Sequence, residues 1–207
     1  MQITYFLIAI IVLTSFYAWN KPNVLQKWLM NPYLINKQRE YHRFLTSGLI
    51  HSNYGHLFLN MLALFFFGRN VEMVFGYILG PSGKIILIIF FLLGIVVSDI
   101  PTYLKYKHLP HYNSLGASGG VSALVFSSIM FFPLQKIYIM FIPFGIPGFI
   151  IGILYLAYSY YQSKNMSDGI NHDAHFYGAV FGVVFTIIIS PGSLANFINE
   201  IANFSLF

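Results

Sequence analysis

A serine set among small residues, Gly116-Ala117-Ser118-Gly119-Gly120, stands where an apolar segment begins. Two histidines hold matching places: His56 near the start of an earlier apolar segment, His175 near the start of a later one. A serine hydroxyl is a weak nucleophile until a neighbouring base takes its proton, so Ser118 with His175 reads as a nucleophile–base pair. His175 would accept the proton as Ser118 attacks a carbonyl, then return it to the leaving amine. His56 and Asn60 are four residues apart and project from one helix face. With the free backbone N–H groups of a helix start, including that of Ser118, they can hold an oxyanion. No acid lies three or four residues from His175, and Asp173 at two residues points elsewhere on a helix. The expected unit is therefore a dyad with no orienting carboxylate.

Those residues need helices to carry them, and the composition says where the helices lie. Of 207 residues, 57% are hydrophobic and only 8% charged, against roughly 25% charged in a soluble domain. The mean hydropathy is +0.69. An integral, multi-pass membrane protein is expected, and the hydrolysis would take place within the bilayer. With no cysteine in the chain, disulfides, thiolate metal sites and a cysteine nucleophile are excluded. The net charge of +5 is scattered over loops and forms no basic stripe, so nucleic acid is not an expected partner.

A spanning helix needs about 20 mostly apolar residues. Such segments fall at roughly 3–19, 56–77, 84–101, 117–132, 147–162 and 173–190. The first has no basic residues before it and no small-residue cleavage site after it, so it reads as a retained span. Residues 134–146 are apolar but interrupted by Pro143 and Gly145 and read as an extended or interfacial connector. Residues 20–55 hold Trp28, Pro22, Pro32 and five cations, which suits a structured first loop at the bilayer surface. No internal repeat is evident. The whole chain, 1–207, reads as one all-α membrane domain of six spans.

Six spans place the starts of the second, fourth and sixth on one side of the membrane. His56, Ser118 and His175 then share one depth, and polar groups at such depth are costly and tend to be functional. Gly178 and Gly182 form a G-x-x-x-G on the sixth span, which allows close approach to the small residues around Ser118. Gly116 and Gly119 are further candidates for substrate contact. The fifth span, whose approach carries Pro143, Gly145, Pro147 and Gly148, is the expected lateral gate. Phe149 on it is expected to face Phe58 of the second span. The connector from Gln162 to His172, with Gly169 as a hinge, is the expected lid. Arg69 and Glu72, three apart on one helix, read as a structural pair. The odd loops hold Lys21, Lys27, Lys37, Arg39, Arg43, Lys105, Lys107 and Lys164, and the other side only Arg69, Lys84 and Lys136. Charge alone would put the odd loops in the cytoplasm.

These motifs resemble the rhomboid family of intramembrane serine proteases. Gly116-Ala117-Ser118-Gly119 is similar to its G-x-S-G, His51 to Asn60 to its H-x-x-x-x-H-x-x-x-N, and Ala174-His175 with Gly178 and Gly182 to its A-H-x-x-G-x-x-x-G. The resemblance runs from about Glu40 to about Pro191. It implies Ser118 as nucleophile, His175 as base, and His56 and Asn60 in the oxyanion hole, with no cofactor and no metal. Glu40 and Arg43 match charged members of the family's first-loop motif, and Glu72 matches an acid near the far end of the second span. His42 stands where that motif usually has Trp. Ser122 stands where many members carry an aromatic residue packed on the histidine. The resemblance implies transmembrane protein substrates, a bacterial inner (plasma) membrane, and a site opening to the extracytoplasmic side.

Two other readings compete. His51, His56, His172 and His175 could ligate zinc, but H-E-x-x-H is absent and no acid accompanies the histidines of the second span. A non-catalytic rhomboid-like protein that binds or delivers membrane clients would usually lack the serine or the histidine, and both are present here. Oligomeric state is not legible in the sequence.

Overall fold

The computed structural model describes residues 2–138, 143–165 and 169–205. It is mostly helical. α1 (Ile3–Trp19) leads into a first loop built from α2 (Pro22–Trp28), α3 (Pro32–Gln38) and α4 (Arg43–Thr46). Pro22 and Pro32 open their helices at the first turn, where a missing N–H costs nothing. α5 (Tyr54–Ala63) starts at Asn53, whose side chain accepts from the His56 N–H at 2.9 Å. It runs through a π-helical turn, Leu64–Gly68, into α6 (Arg69–Leu79). Gly80, at φ +59°, then turns the chain into α7 (Gly83–Tyr106), and α8 (Ser118–Phe131) follows after a loop.

The connector expected to be extended is so in its described part: β1 (Lys136–Ile137) pairs antiparallel with β2 (Ile146–Pro147). This small ribbon departs from an all-α reading. α9 (Gly148–Asn165), α10 (His172–Ile189) and α11 (Gly192–Ala202) complete the chain. α9 extends into the expected lid, whose residues 166–168 lie outside the described residues; Gly169 has φ +71°.

Two helical stretches, Tyr54–Tyr106 and His172–Ile189, are long and apolar enough to cross a membrane, while Ile3–Trp19 and Ser118–Phe131 are shorter apolar helices. Large apolar side chains are exposed on most of these helices and on α9, among them Leu13, Phe66, Ile85, Ile153 and Ile188. So much outward apolar surface suits a lipid surround.

α8 is the centre. Nearly all its side chains from Gly119 to Met130 are buried between α7 and α10. Small residues make this possible. A side chain at Gly178 would strike the Gly119 carbonyl, and one at Gly182 the Ala123 carbonyl. A side chain at Gly119 would strike Ser98 of α7. Further down, Thr186 donates to Ser127 Oγ at 2.7 Å, and Phe90 stacks on Phe185 with ring centres 4.5 Å apart.

Candidate active site

Ser118 is the first residue of α8, half-buried, and no side chain caps that helix. The first-turn N–H groups of a helix lack intrahelical acceptors and favour negative charge. The segment before Ser118 is held by the first loop. Met30 and Ser114 exchange N–H···O bonds of 3.0 Å, and Gly116 N–H donates to the Ser47 carbonyl at 2.9 Å. The first loop is itself wound on Arg43, which is buried. Its guanidinium pairs with Glu40 and donates to the Gln26 and Leu29 carbonyls at 2.9 and 2.8 Å.

Gly116 has φ +125°, and the His56 ring fills the space a side chain would need. Glycine is required there on both counts. His51 is fully buried beside it. Its Nδ1 lies 3.1 Å from Ser15 Oγ of α1, and its Nε2 accepts from the Ala117 N–H at 3.4 Å. Burial, and then the neighbouring His56, hold its pKa down at about 3. A neutral ring is what an acceptor nitrogen requires. His51 thus fixes the loop before Ser118.

His56 packs its ring edge on His51, with centres 4.9 Å apart, and its Nδ1 lies 3.1 Å from Ser52 Oγ. When the Ser52 hydroxyl donates to Nδ1, the ring proton sits on Nε2, the nitrogen beside Gly116. Asn60 is buried, and its amide donates to the His56 carbonyl at 3.0 Å. That bond uses one of its two N–H groups.

His175 lies in the first turn of α10. The Gly119–Gly178 crossing, with Ala174 also against Gly119, brings the residues flanking Ser118 and His175 into contact. Tyr155 of α9 lies over the imidazole, with ring centres 6.0 Å apart and planes 18° from parallel. Its hydroxyl is 2.6 Å from Ser122 Oγ. The start of α10 is pinned by Asn171. Its Oδ1 accepts from the Ala174 N–H at 3.2 Å and from the Thr102 hydroxyl at 3.0 Å, and its Nδ2 donates to Asp99 at 3.3 Å. Lys105 and Asp173 add an ion pair of 3.0 Å between α7 and α10.

The first turns of α5, α8 and α10 therefore meet at one end of the molecule. A model of the rhomboid domain matches residues 38–192, most of the chain and all of these turns. The chain belongs to the rhomboid family. It is also 26% identical over 190 residues to RHOMBOID-like protein 12, mitochondrial, of Arabidopsis thaliana. That match covers 86% of this chain and 55% of the relative, so the chain spans about half the relative's length.

Not every expected residue joins the cluster of this rhomboid chain. Phe149 does not. Its N–H donates to the Pro133 carbonyl at 3.0 Å and its ring meets Phe204, both near the far end of α8. α9 runs antiparallel to α5, α8 and α10, so its start lies away from theirs, and Phe149 cannot face Phe58. Gly119 is buried in the helix crossing, where it serves packing. Arg69 and Glu72 do not pair among the described residues. Glu72 accepts from the Ile3 and Thr4 N–H groups at 2.6 and 3.0 Å and so caps α1, while Arg69 lies over the Tyr5 and Phe65 rings. Among the described residues no three His, Asp or Glu side chains are grouped to hold a metal.

Three residues at the site lie outside the sequence motifs. Asp99 carried a signal, being a lone acid inside an apolar segment, and such a residue is functional by default. Asn171 carried one too, as a helix-capping residue type just before α10. Tyr155, one aromatic among many in an apolar helix, carried none.

Proposed function

We propose that this chain is a six-span intramembrane serine endopeptidase that cleaves transmembrane segments of membrane proteins with a Ser118–His175 dyad. The observation that carries the reading is the Gly119–Gly178 crossing, which sets the first turn of α8 against the second turn of α10, with the Ala174 carbonyl of α10's first turn also beside Gly119. Proximity of this kind is what a nucleophile and its base need.

The chemistry runs in two halves. His175 takes the Ser118 proton as Oγ adds to the scissile carbonyl, and the carbonyl oxygen becomes an oxyanion. The uncapped N–H groups of α8, His56 Nε2 and the second Asn60 N–H are the donors for it. His175 then protonates the leaving amine. Water attacks the acyl-serine in the same way and releases the second product. α8 has 14 residues and is about 21 Å long, shorter than a hydrocarbon core of about 30 Å. Ser118 at its end is thus suited to bonds lying below the membrane surface.

The setting proposed is a bacterial inner membrane with the odd loops outside the cytoplasm. The charge count opposes this, but the rule behind it concerns simple connecting loops. Here Arg43 is buried and paired, and the first loop is folded onto the Met30–Ser114 bridge. The plant relative carries a mitochondrial name, so single-cysteine labelling at Lys107 is the direct check of sidedness. The chain's lack of cysteine makes it clean.

The test of function is fluorophosphonate labelling beside cleavage of a transmembrane reporter in proteoliposomes. Wild type labels and cleaves; Ser118→Ala and His175→Ala do neither while remaining folded. Substantial cleavage by folded Ser118→Ala would remove Ser118 from the mechanism. Folded wild type that neither labels nor cleaves would instead be a binder of membrane clients.

A further inference from the structure

We infer that Tyr155 of α9 is the positioning residue for the His175 imidazole, with Ser122 holding its hydroxyl. This rests on the dyad proposed above. Two independent contacts meet on this one side chain. Its ring lies nearly parallel to the His175 ring with centres 6.0 Å apart, and its hydroxyl reaches Ser122 Oγ at 2.6 Å. Ser122 is four residues after Ser118 on α8, so it lies on the nucleophile's helix face one turn below. A single tyrosine therefore links the helix of the nucleophile to the base.

The geometry has a physical purpose. An imidazole that must turn between a serine and a leaving amine is useful only if its plane is held. A near-parallel phenol ring beside it restricts rotation out of that plane. The hydroxyl bond fixes the phenol in turn, and Phe126 flanks it at 5.8 Å. During reaction the imidazole becomes a cation, and an aromatic face favours a cation over a neutral ring. Tyr155 does not touch the reacting atoms in this arrangement; it acts through His175.

The contact also binds α9 into the site. Among the described residues, Ser122–Tyr155 is the side-chain hydrogen bond joining α9 to α8. Any outward swing of α9 at this level breaks that bond and lifts the ring from His175. Seating of α9 and the Tyr155 contact with the base are therefore one event, and substrate bound while α9 is displaced meets a base without that ring.

The test compares Tyr155→Phe, Tyr155→Leu, Ser122→Ala and the double variant Ser122→Ala/Tyr155→Phe in proteoliposomes. kcat and KM are read for a transmembrane reporter, with Ser118 labelling rates and thermal unfolding alongside. Tyr155→Leu should lose kcat by roughly 5- to 30-fold with KM little changed. Tyr155→Phe keeps the ring and should recover most of that. Ser122→Ala should match Tyr155→Phe, and the double variant should be no worse than either single one, because both remove the same bond. His175 ring protons, assigned by NMR with His175→Gln, should show an upfield ring-current shift in wild type and Tyr155→Phe but not in Tyr155→Leu.

Unchanged kcat in Tyr155→Leu beside an active wild type would overturn the positioning role alone. So would a loss confined to KM, or equal losses in the Phe and Leu variants. Wild type that shows the ring-current shift yet neither labels nor cleaves would overturn the dyad, and the positioning role with it.

Discussion

Gly178→Ala should disable the site without touching a reacting group. The added methyl would lie against the oxygen, carbon and Cα of Gly119, closer than real side chains approach. These are backbone atoms and cannot rotate aside. Ordinary contact between carbon atoms is about 3.5–4.0 Å, so α10 must back away from α8 by about 1 Å. Overpacking of this kind costs about 1–3 kcal/mol. The effect on rate is larger than the stability suggests. His175 lies less than one turn from the wedge, and a misplacement of about 1 Å can cost about 100-fold. Gly182→Ala meets the Ala123 carbonyl one turn deeper. It should cost similar stability but less rate, because His175 is then two turns away. Gly76→Ala is the control: nothing lies within 4 Å of the added methyl, and helix propensity should make it neutral or slightly stabilising. Reporter cleavage, Ser118 labelling and thermal unfolding are measured on all three. Gly178→Ala working at the wild-type rate, or falling no further than Gly182→Ala, would refute a site assembled by this crossing.

Acid should loosen the loop before Ser118 through His51. Its folded pKa of about 3 lies below the ordinary 6.5, so its contribution is present above pH 6.5 and is lost as pH falls from there toward 3. Thermal unfolding against pH should show this limb in wild type and lose most of it in His51→Gln; identical limbs would count against it. Gly116→Ala should cost about 1–3 kcal/mol for its backbone conformation and displace His56 as well, cutting Ser118 labelling at least about tenfold. A fully labelled Gly116→Ala would mean that His56 is not needed there. Glu72→Gln weakens a charged cap on α1 and should lower stability by about 1–3 kcal/mol while leaving the cleavage rate per folded molecule unchanged. A rate loss larger than the folded fraction explains would tie α1 to the chemistry.

The long apolar segments were legible because length and hydropathy are local properties. The segment near 84–101 became Gly83–Tyr106, longer by about a turn at its second end, where Thr102 and Tyr106 are also buried. Ser118 at the start of α8 and His175 at the start of α10 followed from the same boundaries. Contacts that cross the chain were harder to read. Helix spacing pairs Glu72 with Arg69, yet its partners stand 68 and 69 residues earlier. Ser122 stands in place of an aromatic residue, and the ring beside His175 comes from another helix, 33 residues on. Phe149 sits away from the site for a topological reason: α9 starts at the opposite end of the molecule from α8. Asp99 needed only the rule about acids in apolar segments.

The burial of α8 bears on how the molecule is made. Three of its hydroxyls find partners on other helices: Ser122 on Tyr155, Ser127 on Thr186, Ser128 on Asn70. The first two partners belong to α9 and α10, which leave the ribosome after α8. A 14-residue segment with unmatched hydroxyls is a poor transmembrane helix on its own. On the six-span reading proposed above, insertion of α8 is thus provisional until α10 emerges, and chains halted at Asn165 should leave it accessible to membrane-impermeant reagents at Ser127→Cys. Full-length chains should shield that position. The helix at the centre of the finished bundle is, on this account, among the last to take its place.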